Sequence, residues 1–111
     1  MFFIAKSKSI DFTKNFIRRA FEMKAIKIKM KRNCEYSTNV QDIDSIYIDE
    51  MGTYVKKAEV YDYLKKIPKS IVVNIPPYPY LIPVLSTSGE KYVRSVANSI
   101  TVDNLLKLPR E

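Results

Sequence analysis

Four prolines, Pro76, Pro77, Pro79 and Pro83, interrupt the longest uncharged stretch of this chain, which runs from Ser70 to Gly89. The stretch has the length of a membrane span, but each proline removes a backbone donor and clashes with the preceding turn, so no membrane helix is expected there. It reads instead as buried strands around a rigid loop. Ile71-Val72-Val73 is apolar on both faces, the pattern of a central strand. Pro76-Pro77-Tyr78-Pro79-Tyr80 must leave regular pairing and favours polyproline II. Leu81 to Leu85 and Lys91 to Val96 then form two strands joined by Ser86-Thr87-Ser88-Gly89-Glu90, a good hairpin loop.

Upstream, Ile26, Ile28 and Met30 alternate with Lys27, Lys29 and Lys31. This is the period-2 pattern of a strand with one buried face and one lysine-lined face. Ile43 to Ile48 reads as the next strand, with a reversal at Asp49-Glu50-Met51-Gly52. The segment from Lys56 to Ile67 places Val60, Tyr61, Leu64 and Ile67 on one face of a helix that Pro68 stops. From Ser9 to Met23, Phe12, Phe16, Ala20 and Met23 recur at helical spacing, with Lys14, Arg18 and Arg19 away from that stripe, which predicts a basic amphipathic helix capped by Ser9 or Asp11.

These elements predict an α+β fold: a mostly antiparallel sheet of four or five strands, one core helix over 56–67 and an added amino-terminal helix. A length of 111 residues and 46% hydrophobic content suit one domain with one core. The first segment nevertheless differs in kind from the rest. All five Phe precede residue 22 and all eight Tyr follow residue 35. Residues 1–22 are therefore either an accessory helix or upstream sequence read through before a second start at Met23, and residues 23–111 are a single domain.

Cys34 is the only cysteine and histidine is absent. No internal disulfide can form, and the short apolar run before Lys6 and Lys8 is no signal peptide, so a cytoplasmic location is expected. Without histidine the commonest general base and metal ligand are missing, and Cys34 lacks its usual activating partner. Asp42, Asp44, Asp49 and Glu50 lack the spacing and mid-loop glycine of a calcium loop. No enzyme, cofactor or metal is expected.

The net charge is +7, and residues 1–33 carry ten of the nineteen Lys and Arg residues. The ladder Lys27, Lys29 and Lys31, with Arg32, suits phosphate contacts, although lysines also serve simply to solubilise a strand. Tyr78 and Tyr80 suit stacking or a protein partner, or else belong to a stiff half-buried connection. Tyr92 and Arg94 share one face of a strand, where Arg94 either binds a phosphate or carboxylate or pairs with Asp103.

The segment Gly89-Glu90-Lys91-Tyr92-Val93-Arg94-Ser95, followed by Asp103-Asn104-Leu105-Leu106-Lys107-Leu108-Pro109, resembles the ending of a family of small uncharacterised domains from Gram-positive bacteria and their phages. Members finish with a Tyr-Leu-Arg-Ser/Thr strand and an Asp-Asn-Leu-x-x-Leu-Pro turn, and Val93 stands here for the usual leucine. The resemblance extends over roughly residues 40–109 and implies a fold and a phage or prophage setting rather than a reaction. The ending itself reads as closure, with Asp103 as a cap and Leu105, Leu106 and Leu108 buried.

The expected function is a basic, non-catalytic binding module engaging a phosphate-bearing partner, nucleic acid or nucleotide, through Lys27, Lys29, Lys31 and Arg32, with Arg94, Tyr78, Tyr80 and Tyr92 as further contacts. The alternative is a protein-interaction or inhibitor module with a tyrosine-rich surface. A site between subunits that sequesters a small nucleotide is a third reading, and the oligomeric state stays open.

Overall fold

The computed structural model describes residues 22–96 and 102–111. The amino-terminal helix expected over Ser9–Met23 lies outside the described residues apart from its last two, and Met23 already belongs to a strand. Strand β1 (Met23–Met30) pairs antiparallel with β2 (Ile43–Ile48), which pairs antiparallel with β3 (Thr53–Lys56). On its other side β1 pairs parallel with β4 (Ile71–Val73), so the four-stranded sheet, in the order β3-β2-β1-β4, is mixed. Helix α1 (Lys57–Lys66) connects β3 to β4. Strands β5 (Leu81–Leu85) and β6 (Lys91–Ser95) form a separate antiparallel ribbon.

Strand β1 departs from strict alternation for a local reason. Ile28 and Met30 are buried as expected, but Ile26 is only half-buried. It is an extra residue between the Ala25–Ile48 and Lys27–Tyr47 pairs. Such a bulge reverses which face the following side chains take. Met23 and Ala25 before the bulge therefore share the core with Ile28 and Met30 after it.

Ile46 and Ile48 of β2 point the same way and meet Val60, Tyr63 and Leu64 of α1 in one cluster. Tyr63 rather than Tyr61 completes the buried stripe, because positions 60, 63 and 64 lie one helical turn apart and Tyr61 falls to its side. Glu59 in the first turn and Lys65 and Lys66 in the last complement the helix dipole.

Strand β3 was not foreseen. Its four residues run from the turn at Gly52, whose φ of +68° suits glycine, directly into α1. They are too few to show periodicity in sequence. Strand β4 is buried on both faces as expected, yet it is the last strand of the sheet rather than a central one. An isolated bridge between Val72 and Tyr80 leads from it towards β5.

The closing segment behaves as its sequence implied. Asp103 caps the turn Asn104–Lys107 by accepting from the Leu105 amide, and Leu105, Leu106 and Leu108 are buried. The chain then runs beside β1: the Ile28 amide donates to the Pro109 carbonyl at 2.9 Å, and the Glu111 amide donates to the Ile28 carbonyl at 3.1 Å.

Candidate functional site

Side chains of directly paired residues share a face of a sheet. Lys27 pairs with Tyr47 and Tyr47 with Tyr54, while Lys29 pairs with Ser45 and Ser45 with Lys56. Two rows of side chains thus cross β1, β2 and β3 on the face opposite α1. Lys29 and Lys56 are exposed there, and Lys27, Tyr47 and Tyr54 are half-buried.

The two rings meet edge to face, with centroids 5.1 Å apart and planes at 87°. Lys27 Nζ lies 4.6 Å from the Tyr47 centroid and Lys29 Nζ lies 5.7 Å from that of Tyr54, both cation–π contacts. The Glu111 carboxylate accepts from the Tyr54 hydroxyl at 2.8 Å and from Lys27 Nζ at 3.2 Å. Burial and that carboxylate push the Tyr54 hydroxyl up to about 12, so it remains a neutral donor at physiological pH. The hydrogen bonds from Tyr54 and Lys27 hold Glu111 below the usual carboxylate range.

Other charges around this face are also paired. Lys56 contacts Asp44 at 3.0 Å and Lys24 contacts Glu50 at 2.9 Å. Burial works against ionisation of Asp44, but hydrogen bonds from Lys56 and Ser45 outweigh it and lower its pKa. Among the described residues, Lys29 and Arg32 make no ion pair within the salt-bridge distance.

The expected contact residues do not all gather at one place. Lys27 and Lys29 lie together on the sheet face. Lys31 follows β1 and turns away from them to Glu90 at 3.0 Å, beside Lys57 at the start of α1. Arg32 is exposed in the turn after β1. Tyr78 is 53% exposed and adopts a left-handed φ of +62°, whereas Tyr80 is half-buried with Lys69 Nζ 5.5 Å from its ring.

Tyr92 and Arg94 lie in β6, opposite Val84 and Ile82. Arg94 Nε lies 3.8 Å from Asp103. The residues missed in sequence are Tyr47, Tyr54 and Glu111. Tyr47 alternates with Ile46 and Ile48, which marks it as facing away from the core, but nothing local aligns it with Lys27.

Asp103 organises structure. It accepts from the Ser95 amide at 3.1 Å and the Ser95 hydroxyl at 2.8 Å as well as from Leu105. The four acids near the β2–β3 turn do not converge: Asp42 takes the Ser37 hydroxyl, Asp44 takes Lys56 and Glu50 takes Lys24. Among the described residues no group of three or more His, Cys, Asp or Glu side chains is placed to hold a metal ion. Cys34 is half-buried against the core. Among the described residues no helix is long and apolar enough to cross a membrane.

The profile of the family described as Protein of unknown function (DUF3892) matches residues 23–109, and the chain belongs to that family. No curated protein and no solved structure matches the chain.

Proposed function

We propose that this domain is a non-catalytic module that binds a phosphate-bearing partner on the sheet face formed by β1, β2 and β3. The observation that carries the reading is the side-by-side placement of Lys27 and Lys29 on a face shared with Tyr47 and Tyr54. Ammonium groups supply the charge that phosphate oxygens seek, and a flat strand surface can follow a polyanionic backbone. Among the described residues Lys29 is the cation of that face with no ion-pair partner, and Arg32 extends the charge beyond the strand. The reading includes a cytoplasmic setting, which rests on the single cysteine and the short amino-terminal apolar run, and a Gram-positive bacterium or its phage as source, which rests on the resemblance of the closing segment.

The test is a binding titration at low ionic strength against single-stranded, double-stranded and inorganic polyphosphate probes. Wild-type protein is expected to bind at least one, and Lys29→Gln with Arg32→Gln to bind it more weakly. No binding to any probe would refute the reading.

A second reading, a protein-interaction module, is favoured by Tyr36 and Tyr78, which are 94% and 53% exposed. Tyrosines are enriched at interfaces because one ring offers both an apolar surface and a hydroxyl. A partner held by those rings would bind with little dependence on salt, which separates the readings.

A further inference from the structure

Taking that phosphate-binding reading as its basis, we infer that the partner is a single-stranded nucleic acid, with bases stacking on Tyr47 and Tyr54 while Lys27 and Lys29 take the adjoining phosphates. Three observations favour a single strand over a duplex.

The first is charge. Of the four lysines that the described residues place on this face, Lys24, Lys27 and Lys56 are held by Glu50, Glu111 and Asp44. Sequence-independent duplex binding rests essentially on neutralised phosphates and grows with their number. Among the described residues only Lys29 of this face lacks an ion-pair partner, so phosphate contact by these lysines calls for a second source of affinity.

The second is the pair of aromatic rings. Bases stack on tyrosine faces with little regard to sequence. In a duplex the bases are stacked inside and only their edges reach a protein. A sheet face bearing rings therefore has nothing to stack on unless the bases are unpaired.

The third is geometry. The two ring planes stand at 87°. Consecutive bases of a duplex lie parallel and cannot meet both planes, whereas unpaired bases can be splayed apart. The ammonium groups over the rings sit on flexible four-carbon stems. A short movement carries each from ring to phosphate and uncovers the ring.

The test uses the full chain and unstructured DNA and RNA oligonucleotides about 8 to 12 nucleotides long, within the span of known single-strand sites, beside a duplex of equal length. Single strands are expected to bind more tightly than the duplex. Tyr47→Leu and Tyr54→Leu are each expected to lose roughly 5- to 150-fold in affinity. Tyr47→Phe and Tyr54→Phe keep the ring and are expected to stay within a few-fold of wild type. Circular dichroism on each variant confirms the fold before binding is scored.

Equal or tighter duplex binding, or full affinity in the Leu variants, would overturn the stacking proposal and leave the phosphate reading standing. Failure to bind any oligonucleotide or polyphosphate would remove both.

Discussion

Lys57 Nζ, nearly buried at the start of α1, donates to the Glu90 carboxylate across 2.6 Å. Glu90 stands just before β6, so the contact joins the helix to the β5–β6 ribbon, and Lys31 reaches the same carboxylate from the end of β1. Burial lowers the Lys57 pKa even with its partner in place. Truncating the acid strands that ammonium with the Gln41 carbonyl as its remaining acceptor. Glu90→Ala is expected to cost about 1 to 3 kcal/mol in urea unfolding. The double variant Lys57→Met with Glu90→Leu is expected to recover most of that loss, because replacing both partners removes the unpaired charge.

The same carboxylate sets a pH dependence. Hydrogen bonds from Lys57 and Lys31 hold the Glu90 pKa below its ordinary value. A depressed carboxyl stabilises the fold above the unfolded-state pKa of about 4.3, and that contribution is lost as pH falls through the folded value. Denaturation midpoints measured from about pH 6 down to pH 3 should therefore fall less steeply for Glu90→Gln than for wild type. Parallel curves would assign the acid sensitivity to other carboxylates.

Asp103 gives a third prediction. Its carboxylate serves the Ser95 amide and hydroxyl and the Leu105 amide, all in a partly buried setting. Asp103→Ala should cost about 2 to 4 kcal/mol, the sum of a lost helix cap and stranded donors. Asp103→Asn, which keeps an acceptor, should cost less. Chemical denaturation of both variants checks the order.

What was legible in the sequence follows from the range of the interactions. The Asp103 cap, the β5–β6 hairpin and the α1 stripe are fixed within a few residues, and each could be read. The partners of Lys31 could not, because Glu90 is 59 residues away. Lys31 lies past the end of β1 at Met30 and pairs with Glu90, so it does not line up with Lys27 and Lys29 on the sheet face. The aromatic part of the face was hidden for a related reason: Tyr54 lies on a four-residue strand, and the bulge at Ile26 decides which β1 side chains join it.

Glu111 accepts from Lys27 and the Tyr54 hydroxyl, so on the proposed reading its carboxylate competes with a phosphate for Lys27. Glu111→Gln removes a competing negative charge and frees Lys27. It is expected to tighten oligonucleotide binding several-fold at low salt, with the gain shrinking as salt screens the charge. Unchanged or weaker affinity in a fluorescence anisotropy titration would mean that Glu111 does not compete with the ligand.

The salt dependence of single-strand affinity tests the central claim most directly. Each phosphate neutralised on a single strand contributes about 0.7 to the slope of log affinity against log salt. If Lys27 and Lys29 make those contacts, changing both to Gln should flatten the slope by about 1.4, while thermal stability stays close to wild type because Lys29 is exposed and the partly exposed Lys27–Glu111 pair contributes little. A double variant that keeps the wild-type slope, or a wild-type protein whose binding does not respond to salt, would contradict the account.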